Sequence, residues 1–103
     1  MGNITYGTLP NFDKFTKDGS VTVGNTSTLV LPANPNRIYA MLTNDSDEAI
    51  YLAFGTAAVL NKTCRLNPNG GVQEYSPAMA NLFTGPVYAI CATGGKNLLT
   101  VEA

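Results

Sequence analysis

Arg37–Phe54 reads RIYAMLTNDSDEAIYLAF, two alternating runs joined by a polar, acidic connection. In the first run Ile38, Ala40 and Leu42 fall on one face, with Tyr39, Met41 and Thr43 on the other. In the second, Ile50, Leu52 and Phe54 oppose Ala49, Tyr51 and Ala53. Successive side chains of a strand point to opposite sides, so a period of two marks strands with one face in a core. A tyrosine on the second face of each run suits a half-covered surface, because its ring is apolar and its hydroxyl can reach water. The connection NDSDE sits where a hairpin turn belongs, since Asn, Asp and Ser bond nearby backbone groups. Its acids Asp45, Asp47 and Glu48 also raise the question of a calcium site. Calcium takes about six to eight oxygens, commonly from a loop with a glycine after its acids. NDSDE offers few oxygens, no glycine, and carboxylates that alternate faces. The expectation is a hairpin turn, with no metal and no cofactor.

Working outward, the same grammar recurs. SVTV (Ser20–Val23) ends at GN, and STLVLP (Ser27–Pro32) stops at PANPN, where two prolines cannot sustain a ladder. TCRL precedes NPNGG, GVQEYS follows, and PAMANLFTG is irregular. VYAICAT and NLLTVEA read as a final hairpin around GGK. Helical spacing appears nowhere over a useful length. Seven or eight short strands in about 85 residues predict an all-β domain over 20–103, a single antiparallel β-sandwich or jelly-roll-like small barrel. Its core is expected to hold Ile38, Leu42, Ile50, Leu52, Phe54, Ile90, Leu99 and Val101. Met1–Gly19 differs: it is polar, carries Pro10 and three glycines, and has room for one helical turn after Asn11. It reads as an extended N-terminal arm with too few apolar residues for a core. Its aromatics Tyr6, Phe12 and Phe15 are the expected protein-interface residues, as aromatics often anchor interfaces.

Composition narrows the function. A chain of 103 residues fits one domain. Charged residues make up 13%, about half the usual share, as in a chain that lies largely against other protein. Net charge is −1 and the six basic residues, Lys14, Lys17, Arg37, Lys62, Arg65 and Lys96, are scattered, so neither nucleic acid nor an anionic membrane is an expected partner. No apolar run approaches the ~18 residues of a membrane span, and MGNITYGTLPNF lacks the basic start and apolar stretch of a signal peptide. The two cysteines, Cys64 and Cys91, are too few for a disulfide scaffold and read as buried free thiols. The chain has no histidine, which removes Ser–His and Cys–His nucleophile pairs. No phosphate-loop spacing occurs around Gly70–Gly71 or Gly94–Gly95. The expectation is a protein that is not an enzyme. As a glycan-binding module it would need exposed loop aromatics, and Tyr75 and Phe83 are the loop-proximal candidates.

The order NPNR (34–37), IYLAFG (50–55), AVLNK (58–62), NGG (69–71), LFTGPVYAI (82–90) and LTVE (99–102) resembles a recurring type of small structural protein of tailed bacteriophages. The resemblance runs from about Thr26 to Glu102. It departs at KTCRL, where a glycine is typical, and leaves out the N-terminal arm. It implies a virion component, foremost a head decoration (cement) protein on the capsid exterior, made in the host cytoplasm and bound at capsomer junctions. The implied partners are the major capsid protein and further copies of the chain, foremost as a trimer. A tail, fibre or adaptor attachment module, with receptor or glycan binding, is the alternative. No catalytic residue is implied.

Overall fold

Eight strands and no helix form within residues 17–103, the part of the chain that this computed structural model describes. They are β1 (Lys17–Val23), β2 (Thr28–Leu31), β3 (Ala40–Asn44), β4 (Ile50–Phe54), β5 (Cys64–Leu66), β6 (Val72–Tyr75), β7 (Val87–Ile90) and β8 (Lys96–Glu102). The first strand begins at Lys17 rather than at Ser20. β8 is long enough to pair all of it, from Lys17↔Glu102 to Val23↔Lys96, and this pairing overrides the weak strand preference of Asp18 and Gly19. Two antiparallel sheets result, ordered β1-β8-β3-β6 and β2-β7-β4-β5. The chain changes sheet at every connection except β4–β5. This is the strand order of an eight-stranded jelly roll, a form of β-sandwich.

Two expected hairpins are therefore corrected. NDSDE joins β3 to β4, and the segment around Gly94–Gly95 joins β7 to β8, but each pair lies in different sheets. Polar turn residues bend the chain equally well within a sheet or from one sheet to the other. Which occurs depends on strands far away in sequence. The NPNGG connection also crosses between sheets, and it is tight: a Cβ on Gly71 would lie 2.4 Å from the Asn67 backbone.

Leu42, Ile50, Leu52, Leu66, Val87 and Leu98 fill the space between the sheets. Phe54 packs against them and meets Tyr75 and Phe83 edge-on, with ring centroids at 5.3 and 5.7 Å. The expected core differs in three places. Ile38 precedes β3 and is half-buried. Ile90 is buried on the opposite face of its sheet, with Tyr51, Ala53 and Ala58. In β8 the inward residues are Leu98, Thr100 and Glu102, so the expected register is off by one. Thr100 pairs with Leu42 and Glu102 with Ala40, and directly paired residues share a face. Leu99 and Val101 consequently point outward, Leu99 with 39% of its surface exposed.

Tyr75 and Phe83 are core residues, not exposed loop aromatics. Tyr75 is 7% exposed, and its hydroxyl is buried without a hydrogen-bond partner among the described residues. Burial first, and the nearby Cys64 thiol second, push its phenol well above the ordinary tyrosine range. An unsatisfied buried hydroxyl opposes folding. Tyr75→Phe is therefore expected to raise stability by about 1 kcal/mol in urea denaturation. A loss of that size would mean that the hydroxyl has a partner in solution.

Candidate functional site

NPNR, LFTG and LTVE meet in space. Asn34 Oδ1 accepts from the Asn36 amide at 3.0 Å, and the Arg37 amide donates to the Asn34 carbonyl at 3.0 Å, so NPNR closes on itself as a turn. This aims the Arg37 side chain inward, where it has no exposed surface. Its Nε donates to Glu102 Oε2 at 2.6 Å, Nη2 to the Pro32 carbonyl at 2.7 Å, and Nη1 to the carbonyls of Phe83 and Gly85 at 2.7 and 3.1 Å. One buried guanidinium thus ties the β2–β3 connection, the β6–β7 connection and the end of β8. Its partners hold it as a structural pin, away from any open surface.

The acids of NDSDE turn to three separate partners. Asp47 takes Lys96 Nζ at 2.7 Å, Asp45 accepts from Asn97 Nδ2 at 3.2 Å, and Glu48 accepts from the Thr93 amide at 3.0 Å and from its hydroxyl. The Lys96 ammonium holds the Asp47 carboxyl below the usual range, and the Thr93 amide does the same for Glu48. The acidic connection is a clasp onto the β7–β8 connection. Among the described residues no three His, Cys, Asp or Glu side chains come together as a metal site. Both cysteines are free thiols, and burial raises each above its ordinary value.

Both outer faces leave apolar side chains exposed, among them Leu29 at 47% on the β2-β7-β4-β5 sheet. On β2-β7-β4-β5 the long β4–β5 connection folds back, so Ala58 packs with Tyr51, Ala53 and Ile90, and the Ala58 amide donates to Ser27 Oγ at 2.8 Å. On β1-β8-β3-β6 the outward residues Leu99, Val101, Met41 and Val72 lie on neighbouring strands, since Met41 pairs with Val101, and Thr43 with both Leu99 and Val72. Leu99 and Val72 remain 39% and 52% exposed. No second buried cluster forms on this face among the described residues.

A third feature lies where the β4–β5 connection meets β5. Tyr51, Asn61, Lys62, Thr63 and Arg65 line an open cleft of about 310 Å³. Tyr51 pairs with Arg65 across the strands, so both project on the outer side. The Tyr51 hydroxyl donates to Asn61 Oδ1 at 2.9 Å and accepts from Arg65 Nη1 at 3.2 Å, and Arg65 Nε donates to Asn67 Oδ1 at 2.9 Å. Asn61 and Thr63 are left-handed, at φ 64° and 72°. For β-branched Thr63 this conformation costs about 1–3 kcal/mol, and such strain concentrates at functional sites.

Of the expected interface residues, Tyr6, Phe12 and Phe15 all lie outside the described residues. The sequence shows neither the Arg37 pin nor the shared cleft of Lys62 and Arg65, because along the chain the basic residues look scattered. Alternation did carry part of the signal, as it places Arg65 beside Tyr51 once β4 and β5 pair. No family model, curated protein or solved structure matches this chain.

Proposed function

We propose that this chain is a structural subunit of a tailed-phage virion, a head decoration protein that binds the outside of the assembled capsid at capsomer junctions and stabilises it. The observation that carries the reading is the exposed apolar surface on the outer face of the β1-β8-β3-β6 sheet. Leu99 and Val72 stand 39% and 52% exposed there beside Val101 and Met41, bordered by Glu74, Asp18 and Ser20 at the paired positions. An apolar patch on a charge-poor chain is a docking surface in waiting. The motif resemblance and the jelly-roll order support the same reading, since jelly rolls are common in viral shells. The partners are the major capsid protein and further copies of the chain, and a trimer fits the three-fold points of an icosahedral lattice. A protein that binds only the assembled shell stabilises it by mass action.

The test mixes purified protein with assembled heads that lack it. Saturable co-sedimentation and a higher temperature of head disruption are expected. Leu99→Lys and Val72→Lys should keep the β circular-dichroism signal yet weaken head binding by about tenfold or more, because a charge would be buried in the contact. Unchanged binding by both variants, or no binding by the parent protein, would refute this role for the face.

A further inference from the structure

We propose that the cleft between the β4–β5 connection and β5 binds a carboxylate-bearing sugar, with Arg65 and Lys62 holding the carboxylate. This inference stands apart from the decoration reading, since it concerns the other sheet and different residues.

Charge is the first argument. The ion pairs of the described residues are Arg37–Glu102 and Lys96–Asp47. Lys62 and Arg65 have no carboxylate partner among the described residues, and both line the same cleft. In a chain with so few charges, two adjacent uncompensated cations create a local field that favours an anion.

Geometry is the second. A guanidinium has five N–H donors in a planar fork. In Arg65 the Nε donor goes to Asn67 and one Nη1 donor to Tyr51, while the guanidinium carbon sits 5.9 Å from the Tyr51 ring centroid. These contacts hold the plane and leave three of the five donors, Nη2 among them, without a partner among the described residues. A guanidinium with free N–H groups takes a carboxylate through charge-assisted, often paired, hydrogen bonds. Lys62 adds a second charge on a flexible stem. The connection that carries it is pinned at Ala58 to Ser27, and it is held left-handed at Asn61 and Thr63.

The neutral groups set the class. Asn61 Oδ1 is engaged by Tyr51, so its Nδ2 is the free end, and the Thr63 hydroxyl also lines the cleft. Neutral donors and acceptors beside two cations match a molecule with both hydroxyls and a carboxylate. Tyr51 is buried behind Arg65, so recognition is by charge and hydrogen bonding rather than by stacking. A volume of about 310 Å³ is at the lower end for small-molecule pockets, which suits one sugar ring.

The experiment titrates isotope-labelled full-length protein with sodium glucuronate and follows its amide resonances. Saturable shifts confined to residues 51 and 61–67 are expected, with a Kd in the millimolar range. Glucose should produce none. Lys62→Gln should weaken glucuronate binding by about tenfold while the rest of the spectrum stays unchanged, and Arg65→Gln by at least as much. The Lys62 side chain makes no described hydrogen bond or ion pair, and the hydrogen bond from its amide to the Val59 carbonyl survives the substitution, so this variant keeps the test independent of folding. Absence of saturable shifts, an equal response to glucose, or unchanged affinity in Lys62→Gln would overturn the proposal. Tighter binding of an aspartate-rich peptide or of inorganic phosphate would overturn its assignment to a sugar.

Discussion

Arg37→Ala is expected to lower the stability of the domain by about 3–5 kcal/mol, enough to remove a large part of what a chain of this size has. The reason is what the substitution leaves behind. Glu102 is 5% exposed and would lose the guanidinium that sits 2.6 Å from its Oε2. The carbonyls of Pro32, Phe83 and Gly85 would lose their donors at the same time. Breaking a buried ion pair by removing one partner costs far more than the intact pair contributes. The double variant Arg37→Met with Glu102→Met should therefore recover part of the loss, because it removes both charges and keeps the volume. It should not recover all of it, since the three carbonyls stay unsatisfied. Urea unfolding of the parent, the single variant and the double variant measures each step. A single-variant loss below about 1 kcal/mol would mean that water reaches Glu102 and that the pin is not buried in solution.

Within Arg37–Phe54 the alternation places Leu42, Ile50 and Leu52 correctly, but not Ile38, which precedes β3, nor the connection. Leu42, Ile50 and Leu52 lie inward on the face that their alternation assigns them. NDSDE was read as a hairpin turn since its residues favour turns, yet it carries the chain from one sheet to the other. Its side chains are used to clasp Thr93, Lys96 and Asn97, and nothing local announces partners that lie 45 or more positions away. The β8 register failed for a related reason. In NLLTVE the apolar choice for the inward face is Leu99 with Val101, and a hydrophobic rule rejects a face that contains Glu102. That rejection is sound only when no buried cation is available. Arg37 supplies one, from a segment that itself reads as a plain proline-rich turn. The cleft was illegible on the same grounds: Lys62 and Arg65 become neighbours of Tyr51 only after β4 and β5 pair.

Leu98→Ala is expected to cost about 2–5 kcal/mol, and Leu99→Ala less than about 1 kcal/mol. The two residues are adjacent and chemically identical, so the difference rests on the face alone. Leu98 is fully buried, opposite Asn44 on β3 and Val21 on β1, inside the main core. Truncating it removes apolar contact and leaves a cavity between two sheets that cannot close over it. Leu99 lies outward with 39% of its surface exposed, where truncation forfeits only cross-strand contact. Because side chains alternate, a slip of one residue would exchange these two outcomes completely. Equal costs would instead mean that β8 is covered on both faces, by the chain itself or by another copy. The pair also separates folding from docking. Leu98→Ala should weaken the domain and leave head binding intact wherever the fold persists. Leu99→Ala should leave the unfolding midpoint nearly unchanged and still reduce head binding, since its side chain belongs to the contact and not to the core.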